Sequence, residues 1–153
     1  MTDLEKAIHQ VETGSRVGKI IGDQGRALGP LQIHVGAWTD CKKKKESYSM
    51  CSQLEYSVTI FRRYCNRYLT KKRLGRAVTE KDKIFLWNGG PNAHKAKGKK
   101  LKNLTRYYKK VQEALRVIKK SSVQPVRRKE GPSPKCDHLP SESLESIPEK
   151  RGE

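Results

Sequence analysis

Acidic residues are scarce in this 153-residue chain: 16 Asp and Glu stand against 34 Lys and Arg, for a formal charge of +18. Long apolar runs are missing. None approaches the ~18 residues that a bilayer-crossing helix needs, which excludes a transmembrane protein. Cysteines are few, and Cys41, Cys51, Cys65 and Cys136 are spaced 10, 14 and 71 apart. Those spacings match neither a paired C-x2-C zinc pattern nor a redox C-x-x-C. Free thiols are expected, two of them buried; a disulfide among the first three would need an oxidising compartment. His34 and His94 show no ligand spacing. The opening residues Met1-Thr2-Asp3-Leu4-Glu5 form neither a basic nor an apolar targeting segment, so no secretory signal is visible and localisation stays open. The length suits one domain with a tail and disfavours a two-domain enzyme.

The charge is not spread evenly. Residues 1–35 carry four acids and four bases, and residues 121–153 carry six of each. Residues 36–120 carry 24 bases and six acids, so the whole excess lies there. Such a field favours an anionic polymer as partner, whether nucleic acid, anionic membrane or bacterial wall. A lysine-rich solvated surface is the plain alternative.

The pattern predicts a mainly α (α+β) domain over residues 1–120, followed by a disordered Pro/Ser/Glu-rich tail over 121–153. Thr2 and Glu5 form a capping-box pair. Leu4, Ala7, Ile8 and Val11 then make one apolar stripe on a helix spanning about residues 3–12. Glu12 follows Ile8 by four residues and falls on that stripe, where an acid must either pair or carry a raised pKa. Val17, Ile20 and Ile21 suggest a short strand before the turn Gly22-Asp23-Gln24-Gly25. Residues 31–38 read as a short helix. Cys51, Leu54, Val58, Phe61, Cys65 and Tyr68 recur at spacings of three and four, predicting a core helix over 51–69 with Arg62, Arg63 and Arg67 outside. Thr79 and Asp82 open another helix, which Asn88-Gly89-Gly90-Pro91 ends. Residues 92–103 read as a lysine-rich loop, and a last helix over about 104–119 buries Leu104, Tyr108, Val111, Leu115 and Ile118.

Three pieces occur in order: Val11-Glu12-Thr13-Gly14, then Gly29-Pro30-Leu31-Gln32-Ile33, then Trp87-Asn88-Gly89-Gly90-Pro91 ahead of the tyrosine-bearing last helix. This order resembles the lysozyme-like superfamily. With Gly22-Asp23-x-Gly25 and Trp38-Thr39-Asp40-Cys41, it is most similar to invertebrate-type (destabilase) lysozymes and related bacterial lysozyme and transglycosylase domains. The resemblance covers roughly residues 3–118. It departs from the invertebrate-type pattern in having few cysteines.

The resemblance implies a helical domain with a small glycine-rich β region beside an active cleft, and a muramidase acting on peptidoglycan without metal or cofactor. Glycoside cleavage needs a carboxylic acid that stays protonated near neutral pH, and a Glu on the apolar stripe of a helix end is placed for that. Glu12 is therefore the expected general acid; a Glu that merely ends a helix is the plain alternative. Asp23 matches the second carboxylate, with ordinary turn chemistry as its alternative and Asp40 in reserve. Gln32, Asn88, Gly89 and Tyr108 are carried over as substrate-binding positions. Either Tyr107 or Tyr108 could reach the acid, although core packing suits Tyr108 as well. Trp38 and Trp87 suit the core better than a sugar platform. A lytic transglycosylase on the same substrate and a basic lysozyme-fold protein binding nucleic acid or a virion through residues 36–120 remain alternatives, as does chitin as substrate. A monomer is expected.

Overall fold

The computed structural model describes residues 1–123. They form a mainly helical domain with one small antiparallel sheet. Helix α1 is Asp3–Thr13. The strands β1 (Ile21–Gly22), β2 (Ala27–Leu28) and β3 (Ile33–His34) pair in the order β1-β2-β3, with Ile21 opposite Leu28 and Leu28 opposite Ile33. Helices α2 (Val35–Cys41), α3 (Leu54–Tyr68), α4 (Lys71–Leu74), α5 (Glu80–Gly89) and α6 (Gly98–Val123) follow. No helix of the described residues is long and apolar enough to cross a membrane.

Local chemistry sets the helix starts. Thr2 and Glu5 exchange side-chain-to-backbone hydrogen bonds at the head of α1, and Thr79 and Asp82 do the same for α5. Each exchange satisfies donors that a helix start otherwise leaves unpaired. Gly14 ends α1 in a left-handed conformation. The apolar stripes then build one core: Leu4, Ala7 and Ile8 of α1, Ile60 and Phe61 of α3, Ile84 and Leu86 of α5, and Val111 and Leu115 of α6 are all buried. Trp87 meets Phe61 edge-on at 5.1 Å between ring centroids, and Trp38 donates its indole N–H to the Tyr56 hydroxyl. Both tryptophans are thus packing residues.

Several boundaries differ from the sequence expectation, each for a local reason. Residues 31–38 are not one helix. Leu31 and Ile33 are buried while His34 is exposed, an alternation that makes β3, and α2 starts only at Val35. Val17 lies outside any strand and is 66% exposed. The core helix begins at Leu54; buried Cys51 precedes it in a short 3-10 helix, Tyr48–Ser52. The expected loop over 92–103 is partly helical, because α6 starts at Gly98 and its lysines are good helix formers. Residues 121–123, expected in the tail, belong to α6, which runs to Val123; the remainder of that expectation, including Cys136, lies outside the described residues. Cys41, Cys51 and Cys65 are all free and all buried, one more than expected. Burial pushes the Cys51 and Cys65 thiols up to about 12.

Ile8 is fully enclosed where α1 meets the core. Ile8→Ala is expected to cost about 2–5 kcal/mol in urea denaturation, whereas Val17→Ala on the open surface should stay within ~0.5 kcal/mol.

Candidate active site

The packing of α1 against α6 places Glu12, one residue before the end of α1, beside Tyr107 in the first half of α6. The Tyr107 hydroxyl donates to Glu12 Oε1 in a short hydrogen bond of 2.5 Å. Burial raises the Glu12 pKa, and the Tyr107 hydrogen bond, which pulls the other way, does not cancel it. Tyr107 is itself held far above the usual phenol range by burial and by the neighbouring carboxylate, so it remains a donor.

The other carboxyls below the surface show what Glu12 lacks. Glu5 accepts from Arg62 Nε at 2.6 Å and Nη2 at 2.9 Å, and although burial works against it, these bonds and the Thr2 amide hold its carboxyl below the usual range. Glu46 takes Arg63 Nη1 at 2.7 Å and is lowered to about 2, chiefly by that bond. Asp82, gripped by both terminal nitrogens of Arg76 at 2.7 Å, is lowered further. In a chain with 34 basic residues, Glu12 forms no ion pair with any of them among the described residues. Its carboxyl is half-buried beside a neutral hydroxyl, with no cation to offset the burial that favours the protonated acid.

The chain after Glu12 is tied down around it. Thr13 Oγ1 lies 3.0 Å from the Pro30 carbonyl and donates to it, joining the helix end to the Gly29-Pro30-Leu31-Gln32 segment. His9 Nε2 is 2.7 Å from the Arg16 carbonyl, folding the residues after α1 back along the helix. The tethering roles of Thr13 and His9 were not legible in the sequence, because their partners are backbone carbonyls that no side-chain pattern reveals.

The remaining expected site residues occupy varied places. Asp23 sits in the β1–β2 turn with a left-handed backbone (φ 47°), pairs with Arg26 Nη2 at 3.0 Å and has His34 Nε2 at 3.6 Å. No hydrogen bond or ion pair among the described residues joins it to Glu12. The Gln32 amide nitrogen donates to the Gly29 carbonyl at 2.9 Å and the Ile20 carbonyl at 3.3 Å, bracing the loop that carries the sheet. A Cβ at position 22 would fall 1.7 Å from Gln32 Oε1, so any other residue there would push the Gln32 amide aside. Gly89 is a packing residue too. A Cβ would come within 2.7 Å of Leu104, so its smallness lets the end of α5 close on α6 one turn before Tyr107. Tyr108 meets Phe85 edge-on with Lys81 over its ring, so of the two tyrosines it is Tyr107 that reaches the acid. Asn88 is exposed at the end of α5. Asp40 accepts from the Tyr68 hydroxyl at 2.6 Å, a structural pairing.

A groove of about 790 Å3 opens between α1 and α6, but its walls, including Lys6, His9, Val11, Lys110, Ala114 and Ile118, do not include Glu12 or Tyr107. Among the described residues no group of three or more His, Cys, Asp or Glu side chains gathers to hold a metal ion. The chain matches no protein-family model, and no curated protein resembles it significantly.

Because Glu12 carries a raised pKa, its ionisation costs folding stability once the pH passes the ordinary carboxyl value of 4.5. Glu12→Gln is therefore expected to be more stable than the parent at pH 7–8 in thermal melts, with the gap closing below pH 4.5. Tyr107→Phe removes the one bond that favours the carboxylate, so the Glu12 carboxyl resonance should titrate at still higher pH. A downward move would show that Tyr107 is not its donor.

Proposed function

We propose that the protein is a lysozyme-like glycoside hydrolase of the muramidase type, with Glu12 as general acid and the glycan strand of bacterial peptidoglycan as substrate. The observation that carries this reading is the Glu12 carboxyl: half-buried at a helix end, free of any cation among the described residues and raised in pKa while the arginine-bound carboxyls of the same domain are lowered. A structural carboxylate in so basic a chain gains by finding an arginine, as Glu5, Glu46 and Asp82 do. An acid that burial makes hold its proton to higher pH is instead suited to proton delivery. The ordered motifs support the same assignment, since Thr13 and Pro30 bring two of them into contact and the Gly89–Leu104 packing joins the third to the helix of Tyr107.

In this mechanism Glu12 donates its proton to the glycosidic oxygen as the bond from that oxygen to the anomeric carbon breaks. Positive charge then develops on the sugar. Tyr107, bonded to one carboxyl oxygen, fixes the orientation of the group and leaves the other oxygen to deliver the proton. Asp23 is the second carboxylate, acting on the anomeric carbon directly or through water. Water adds to that carbon and its proton restores the acid. Asn88 is free to hydrogen-bond an acetamido group, while Gln32, Gly89 and Tyr108 act by bracing the loop and the helix junction.

One observation favours the lytic transglycosylase route on the same strand. Asp23 is engaged by Arg26 and His34 rather than joined to Glu12. In that route the 6-hydroxyl of the sugar itself attacks the anomeric carbon, and Glu12 serves first as acid and then as base. Anhydro-muramyl product ends would identify it; reducing ends mark hydrolysis.

The deciding measurement is turbidity loss of a purified cell-wall suspension. Glu12→Gln should lose at least about 100-fold in clearing rate, the scale of a general acid, with its fold intact by circular dichroism. Equal clearing by mutant and parent would remove Glu12 from the chemistry and this reading with it.

A further inference from the structure

The outer face of α6 is organised as a charge stripe. Lys99, Lys102, Arg106, Lys109, Arg116 and Lys120 recur at spacings of three, four and seven, and Glu113 fills the gap in the series. All are exposed, directly opposite the face that buries Leu104, Val111 and Leu115. Glu113 is paired with Arg116 at 3.4 Å. The first four cations, Lys99 to Arg106 and Lys109, have no carboxylate partner among the described residues. They occupy a straight run of about 15 Å at ~1.5 Å rise per residue, with a shallow groove of about 560 Å3 beside them lined by Leu101, Lys102, Thr105, Arg106 and Lys109. Like charges three and four residues apart repel on a helix, so this row is unfavourable for the free protein and is relieved by a linear anion.

We propose that this face of α6 docks a linear polyol-phosphate polymer, the phosphodiester chain carried on many bacterial walls. The cations follow one another every ~5 Å along the helix, and their long, flexible side chains can spread to meet successive phosphates of an extended chain. No aromatic ring lines the groove beside these cations. Binders of single-stranded nucleic acid add free aromatic rings on which bases stack. Both tyrosines of α6 are otherwise engaged, Tyr107 with Glu12 and Tyr108 with Phe85 and Lys81. The polymer's identity rests on the wall-directed reading above, while the stripe stands without it. Docking there holds the domain on the wall through the same helix whose inner face supports Glu12.

The test is binding of the full chain to purified poly(glycerol phosphate) over a range of salt. Four phosphate contacts predict a slope of log K on log salt of about −3, which is on the order of 50-fold weaker binding at 200 mM than at 50 mM. Lys102→Gln/Arg106→Gln/Lys109→Gln keeps good helix formers and should reduce the slope to about −0.7, with at least ~10-fold weaker binding at 50 mM. The loop variant Lys43→Gln/Lys44→Gln/Lys45→Gln removes as many charges and should bind like the parent. Equal losses in the two triple variants would mean diffuse attraction and overturn the proposal, as would unchanged binding in the α6 variant. Tighter α6-dependent binding to duplex DNA than to the polyol phosphate would overturn it in favour of nucleic acid. Glu12→Gln should bind as the parent does. If it also still clears walls, the glycosidase reading fails while the stripe remains.

Discussion

The packing of α1 on α6 is the constraint on which the rest depends. Ile8 and Val111 lie within it fully buried, and the same contact half-buries Glu12, enough for burial to raise its pKa. Burial of an acid normally draws a counter-charge into the structure or fails to occur. Here the neighbour supplied by α6 is a phenol, which satisfies one carboxyl oxygen without adding charge. The perturbed acid is therefore not an isolated feature of one side chain. It follows from which residues two apolar stripes bring face to face.

The distribution of arginines reinforces the contrast. Arg62, Arg63 and Arg76 reach Glu5, Glu46 and Asp82 with short, largely two-pronged bonds, and each pair ties α1, the residue 42–47 loop or the start of α5 into the framework. Such bonds hold a carboxylate ionised and fixed. With the framework carboxylates satisfied in this way, the helix end carrying Glu12 is reserved for a different environment, and Thr13, locked to Pro30, keeps the glycine-rich loop against it.

Much of this fold was legible in the sequence. Both capping boxes fixed where α1 and α5 start, and the three-four spacing from Cys51 to Tyr68 located the central helix but began it one turn early. The small sheet was harder to see, because its strands are two residues long and leave too little alternation to separate from a helix. Glu12 stood out because a charge on an apolar stripe is anomalous on one strand of sequence alone. Its partner did not. Tyr107 and Tyr108 flank the same stripe of α6 about 100° apart around the axis, and only the docking angle of α1 decides which of them meets the acid. The roles of Gln32 and Gly89 were hidden for a similar reason. Gln32 spends its amide on backbone carbonyls, and Gly89 matters for the side chain that lies against it.

The three enclosed cysteines carry one more consequence. With their sulfurs inside the domain and two of them raised to about 12, almost none is thiolate at neutral pH, and it is the thiolate that oxidises and exchanges. This architecture draws no cohesion from a covalent cross-link among these residues and exposes little sulfur to attack. The packing of these three residues is thus largely indifferent to whether the surrounding medium is reducing or oxidising.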